Sequence, residues 1–385
     1  RNAPLRASAM AGVARTSAAG AHASAPMRWW RVCGRPWAWG AAPTFDFTGL
    51  SAGDQLGMSV ALSDDGQRVA MGALTTNQRG RVEVWDISTG TASQLGTSFV
   101  LGDTIDRAMD QEYHYYNVDL NEDGTKIIVG APMAHARQTS QNHHPWTNIG
   151  AVDFRAYDGT DWVVQRQHEG SWIDRSISFI SHTSGTRLGH SVAISADGSV
   201  GVAGEPLLMP RDDGTDYITA ELRGVWRAYQ QASGPYSFLG EPIKYEGYGQ
   251  DGNQKAELGT DIDISDDGQR VIVSQHKYMA VRTWCGGAGE PDCPDTLFAG
   301  QARVYEFNSQ TKDYHELCLP PVGDPADMLG YSVAISGDGT RVVIGAPAYV
   351  TPYGTSYPVA PEPGYVRVFE LPAERTPSPP FHPPV

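Results

Sequence analysis

The chain has 385 residues, a formal charge of −15, 40% hydrophobic residues and 19% charged ones. That length supports a sizeable core, and the acidic balance argues against nucleic acid or an anionic membrane as partner. No run of about 18 apolar residues occurs, so no membrane-inserting helix is predicted.

Residues 1–43 hold six arginines and no acidic residue, and they show no consistent apolar period. They read as a disordered leader or arm, without the ordered regions of a signal peptide. PTFDFTGL (43–50) then reads as a single strand without neighbours in sequence.

From residue 56 one phrase recurs: LGMSVALSDDGQRVAMGA (56–73), LGHSVAISADGSVGVAGEP (188–206) and LGYSVAISGDGTRVVIGAP (329–347). Weaker copies start near residue 115 and at Leu258. Each has a small-residue alternating run, an Asp-Gly pair and a continuous apolar run. Asp-Gly between two β-rich runs is a strong hairpin signal, because glycine takes positive φ without a Cβ clash. The turns fall at Asp65-Gly66, Asp123-Gly124, Asp197-Gly198, Asp267-Gly268 and Asp338-Gly339, 58 to 74 residues apart. A third β-rich segment follows each hairpin, from Gly80, Gly150, Gly224, Gly300 and Gly364. A weaker fourth, such as TSFVLGDTI (97–105), follows most of these.

Four strands per unit at that period predict an all-β fold, a β-propeller of four-stranded antiparallel blades. The small first strand suits the crowded axis. The continuously apolar second strand suits burial on both faces by neighbouring blades. Five units are visible, and the fifth lacks a fourth strand. PTFDFTGL is therefore expected to pair with the strand of Val366, Val368 and Phe369 and close a five-bladed ring. The predicted domains are 1–43 as arm, 44–371 as propeller and 372–385 as a Pro-rich tail or linker.

The repeated words Leu-Gly-x-Ser-Val-Ala-Ile-Ser-x-Asp-Gly, Gly-Ala-Pro and Gly-x-Val-x-Val-Tyr resemble the FG-GAP repeats of the integrin alpha β-propeller. Leu-Gly stands at 56–57, 188–189, 258–259 and 329–330, while the second copy reads Tyr115-Tyr116. Gly-Ala-Pro is intact at 130–132 and 345–347 and broken at Ser274-Gln275-His276. The resemblance implies a non-catalytic propeller that binds proteins or glycans in adhesion or matrix roles, secreted or at the cell surface. It also implies possible Ca2+ in the hairpin turns. The best matches are Asp119, Asn121 and Asp123, then Asp263, Ser265 and Asp267, each set short of the last carboxylate. The alternative is that these aspartates only shape the turns.

The connections between second and third strands are long and lie opposite the Asp-Gly turns. They carry Trp146, Tyr217, Tyr278, Trp284, Tyr349, Tyr353 and Tyr357, which are the expected ligand-binding residues for a protein or glycan. Cys285 and Cys293 bracket a Gly/Pro loop and are expected to form a disulfide, which would place the chain in an oxidising, extracellular setting. No Gly-x-Ser-x-Gly, triad-like set or phosphate cradle is found, so the chain is expected not to be an enzyme. A lectin-like module is one alternative. A hydrolase or lyase with a pocket on one face is another.

Overall fold

The computed structural model describes residues 45–50, 54–74, 80–100, 116–134, 149–165, 179–180, 186–207, 224–244, 257–277, 299–318, 321–324, 327–347 and 363–372. They form five antiparallel sheets, each built from strands in sequence order. The first sheet runs Ser59–Leu62, Arg68–Leu74, Gly80–Asp86 and Ser93–Gln94. The second runs Asn117–Leu120, Lys126–Ala131, Ala151–Tyr157 and Trp162–Val164, with Phe179–Ile180 added on its third strand. The third runs Val192–Ile194, Val200–Glu205, Val225–Gln230 and Ser237–Phe238, with Ile243–Lys244 added likewise. The fourth runs Ile262–Ile264, Arg270–Gln275, Gln301–Asn308 and Asp313–Glu316. The fifth has only Ser332–Ile335, Arg341–Ala346 and Tyr365–Glu370. The first strands lie side by side in chain order, so the sheets are blades of a β-propeller.

The core lies between blades rather than inside any one of them. Four apolar clusters fill the four junctions. Alternate residues of one second strand serve different clusters. Ile127 and Val129 pack toward the first blade and Ile128 toward the third. Val271 and Val273 pack toward the third blade and Ile272 toward the fifth. A strand with both faces buried cannot alternate polar and apolar residues, which explains its continuous apolar run.

Among the described residues no backbone ladder joins one blade to the next, and side chains bridge their inner strands. Ser59 Oγ accepts from Val118 N at 3.0 Å. Asn117 Nδ2 donates to His190 O at 2.6 Å, and Ser191 Oγ to Gly259 O at 2.9 Å. Asp261 Oδ2 accepts from Val333 N at 2.8 Å. These four residues hold the same place in their strands. Asn117 pairs with Gly130 as Ser59 pairs with Gly72. That register puts Tyr116, not Asn117, opposite Met58, and so moves the second copy's Leu-Gly place to residues 114–115. The turns form a second belt, in which Glu122 N donates to Ala196 O, Ala196 N to Asp266 O and Asp266 N to Gly337 O.

The glycines of the repeat serve the same seams. A Cβ on Gly130 or Gly204 would run into the carbonyl of Gly189 or Gly259 in the next blade, and one on Gly72 would stand 2.6 Å from Tyr116 O. Gly150, Gly224 and Gly300 have positive φ and bridge in parallel to Leu188, Leu258 and Leu329. The recurrent words are thus mostly contact points between blades.

The N-terminal clasp is corrected. Residues 45–50 form no strand, and Tyr365–Glu370 pairs only with Arg341–Ala346. Phe47 packs on Trp85 of the first blade at 5.3 Å. Phe179, spaced alike from its Leu-Gly, packs on Tyr229 of the third blade at 4.5 Å. Phe47 of PTFDFTGL therefore anchors the blade that follows. Among the described residues nothing adds a fourth strand to the fifth blade.

Gly130→Ala should destabilise the fold by several kcal/mol, because backbone in two blades must separate. Gly66→Ala meets open space and should cost about 1 kcal/mol through its positive φ alone. Urea denaturation of both variants measures the contrast.

Candidate functional site

The inner strands begin, and the second strands end, on the face opposite the Asp-Gly turns. There the place after each Leu-Gly holds Met58, Tyr116, His190, Thr260 and Tyr331 in turn around the axis. Met58 and Tyr331 are exposed, whereas Tyr116 and Thr260 are buried. This place varies from copy to copy, and two of its polar occupants, His190 and Thr260, meet between the third and fourth blades.

His190 Nδ1 lies 3.2 Å from Thr260 O. Thr260 Oγ1 lies 2.9 Å from His276 Nδ1 and 2.7 Å from Ser274 Oγ. Ser274 Oγ accepts from Asp261 N at 2.7 Å. His276 stacks edge-on to Tyr331 at 5.5 Å. One hydrogen-bonded chain thus links His190, Thr260, His276 and Ser274. It forms where the fourth copy writes Ser274-Gln275-His276 in place of Gly-Ala-Pro.

Both imidazoles are held neutral. Burial pulls His190 down to about 4, with Arg187 and Lys277 adding to the effect against the Thr260 hydrogen bond. Burial does the same to His276, helped by Lys277 and His190. Asp261 is pushed up to about 7 by burial, which outweighs the N–H groups of Val333 and Ile262 that it accepts. Lys277 is paired with Glu257 at 2.8 Å. Arg187 has a positive φ and a buried Nε with no hydrogen-bond partner among the described residues. A neutral imidazole pair can accept hydroxyl protons, and the positive Arg187, whose charge acts on His190, can attract an anion.

The residues proposed for Ca2+ are occupied otherwise. Asp119 accepts from Leu120 N and from Ile194 N of the next blade, at 2.9 Å each. Asp263 accepts from Ile264 N at 2.9 Å and from Ile335 N at 2.8 Å. Asp123 Oδ1 accepts from Asn121 Nδ2 and Thr125, and Asn121 Oδ1 accepts from Lys126 N. Ser265 and Asp267 bond to each other and cap their turn. The first aspartate of each set is a strut between blades and the rest shape the turn, so this donor set does not make a calcium shell. Among the described residues no three His, Cys, Asp or Glu side chains group as a metal site.

Trp146, Tyr217, Tyr278, Trp284, Tyr349, Tyr353 and Tyr357 lie outside the described residues, as do Cys285 and Cys293. Among the described residues no helix is long and apolar enough to cross a membrane. The axial cluster had a signal in the sequence: the variable place after Leu-Gly, and the polar residues that break Gly-Ala-Pro.

No protein-family model matches the chain, and no curated protein matches it. FG-GAP therefore remains a likeness of motif, while the β-propeller fold it implied is the fold observed. Solved structures of similar shape include a protein described as TolB from Agrobacterium tumefaciens, 11% identical, with TM-score 0.37 over 82% of this chain and 77% of that one. They include the periplasmic gluconolactonase of Pseudomonas aeruginosa, 12% identical, with TM-score 0.33 over 86% and 92%. A protein described as a 6-phosphogluconolactonase from Bacteroides uniformis is 12% identical, with TM-score 0.34 over 80% and 87%. The expectation that the chain is not an enzyme rested on missing linear motifs. Catalysis on a β-propeller needs no linear motif, so that expectation is withdrawn.

Asp263→Ala strips the buried Ile335 N–H of its acceptor and should cost about 1–3 kcal/mol. The loss should be equal in millimolar Ca2+ and in chelator; a loss confined to Ca2+ would restore the metal reading.

The imidazoles predict a pH limb. Their folded pKa lies below the unfolded value of 6.5, so the stability they allow is complete above that pH and is lost as pH falls toward 4. The full shift corresponds to on the order of 3 kcal/mol per ring. His276→Asn should flatten the decline between pH 6.5 and 4, read by urea melts across that range. Asp261 has the opposite sign, since its raised pKa favours the fold below 3.8 and the gain is lost as pH rises through about 7.

Proposed function

We propose that the axial mouth binds a small hydroxylated ligand bearing a carboxylate, and that the protein acts on it as a hydrolase or lyase through this face pocket. The observation that carries the reading is the hydrogen-bonded chain His190–Thr260–His276–Ser274, with both imidazoles neutral and the charge of Arg187 acting on His190.

Arg187 would hold the carboxylate, whose charge it matches. Tyr331 offers an exposed ring and hydroxyl at the rim, suited to the apolar face and hydroxyl groups of a sugar-like molecule. His276 bonds through Nδ1 to Thr260, so its Nε2 is the nitrogen left for ligand or water. A base with pKa about 4 is weak at neutral pH. An anionic ligand beside it changes that, because opposite charge within about 4–6 Å raises an imidazole pKa. The substrate would thereby activate the group that takes its proton or that of an attacking water. Thr260 and Ser274 hold the ring in place, and the rigid inner strands hold Thr260.

We also propose a setting outside the cytosol, which the disulfide expected between Cys285 and Cys293 would require.

The test is a panel of hydroxy acids, uronates and their esters and lactones, assayed for binding by thermal shift and for turnover by product analysis. His276→Ala should lower kcat about 10²–10⁴-fold with little change in KM. Arg187→Gln should chiefly raise KM for carboxylate-bearing compounds. Full activity in His276→Ala, or no binding of any panel member, would remove the proposal.

A further inference from the structure

The four seams between blades share one construction, which shows what a complete seam looks like. On the forward side of each blade, the third strand presents two residues to the next blade. They are Val82 and Val84, Val152 and Phe154, Trp226 and Ala228, and Ala302 and Val304, none more than 6% exposed. Register identifies their counterparts in the fifth blade: Val366 lies opposite Gly345 as Val82 lies opposite Gly72, and Val368 lies opposite Val343 as Val84 lies opposite Ala70. Val366 is 68% exposed and Val368 62% exposed.

The rear side shows the same break at the other end of the array. Val118, Val192, Ile262 and Val333 are buried in the inner strands of blades two to five, as are Leu120, Ile194, Ile264 and Ile335. Their counterparts in the first blade are Val60, 41% exposed, and Leu62, 57% exposed. Met58 beside them is also exposed.

The docking glycines agree. Gly189, Gly259 and Gly330 each lie against backbone of the preceding blade, whereas nothing lies near a Cβ built on Gly57. Gly130 and Gly204 meet a carbonyl of the following blade, whereas Gly345 and Gly364 meet only atoms of their own blade. Ser332, whose counterparts bridge to the next inner strand, is exposed.

We propose that the forward face of the fifth blade and the rear face of the first are the two halves of one more seam, and that a second copy of this chain completes it by docking head to tail. The occupant of each face must present the other half of the seam: a rear face with Leu-Gly and an apolar inner strand, or a forward face with Gly-x-Val-x-Val. This chain presents one of each, and the fold leaves them open instead of joining them. The contact uses different patches on the two partners, so it is heterologous and each copy keeps one free half after pairing. The inference is independent of the ligand proposed for the axial mouth.

Light scattering on the full chain, from low to about 100 μM, tests it. Wild type should grow in mass with concentration. Val368→Lys (forward face) and Leu62→Lys (rear face) should each stay monomeric, since both positions are exposed and tolerate charge. Mixed one to one, the two variants should form a dimer that grows no further, because each contributes its intact face. Val366→Glu with Val60→Glu repeats the pairing if either lysine variant fails to fold. A wild type that stays monomeric across the range, or a mixture that does not pair, overturns the proposal. So does a disulfide formed within one chain in the Leu62→Cys, Val368→Cys double variant, which would mean that the chain closes on itself.

Discussion

Among the described residues adjacent blades of this propeller share no β-ladder, and the rest of the fold follows from how that gap is bridged. Inner strands that fan around an axis face one another with backbone groups at the wrong spacing for a sheet. The N–H groups of Val118, Ile194, Val333 and Ile335 are satisfied instead by side chains of the preceding blade: Ser59, Asp119, Asp261 and Asp263. An unpaired buried donor costs about 1–3 kcal/mol, so each such strut is worth a substantial part of a domain's net stability. Glycines then let the blades approach until apolar faces meet. The tandem repeat is, in this light, a specification of a seam, written once per blade because each blade makes the seam anew.

That view explains what was legible in the sequence. The hairpins were, because Asp-Gly and period-2 alternation are local signals. The blade was, because both-face burial makes Val271, Ile272 and Val273, like Ile127, Ile128 and Val129, read as unbroken apolar runs. The role of Asp119 and Asp263 was not. A short acidic run around an Asp-Gly turn has the same letters whether its first carboxylate turns toward an ion or toward the next blade, and only the placement of the neighbouring strand decides. PTFDFTGL misled for a related reason. An aromatic that anchors the following blade, as Phe47 does on Trp85, alternates just as a pairing strand does.

The axial cluster was half legible. The loss of Gly-Ala-Pro at Ser274-Gln275-His276 was visible, but as decay of a motif. Its meaning depends on Thr260, sixteen residues before His276 in the chain and bonded to it in space. His190, in the preceding blade, reaches the same threonine through its backbone carbonyl. Residues that depart from a repeat are informative when the departures converge, and convergence between blades is not written along one chain segment.

The cluster sits where inner strands begin and second strands end, which ties the mouth to the seam. Asp261 follows Thr260 directly, and its carboxylate bridges to Val333, two residues after Tyr331. Its backbone N–H donates to Ser274, which in turn holds Thr260. The strut between blades four and five and the hydrogen-bonded chain of the mouth therefore share Asp261, through its carboxylate on one side and its amide on the other. Burial holds that carboxylate near neutrality, at about 7, so a change of charge at the mouth acts on a group already poised between its two forms. A negative ligand seated beside Thr260 would favour the protonated form, since like charge disfavours a second carboxylate. By linkage, the strength of that strut and the occupancy of the mouth would then depend on each other. At the same register in the other blades the struts come from Ser59, Asn117 and Ser191, whose side chains carry no titratable group, so at this place the coupling belongs to Asp261 alone.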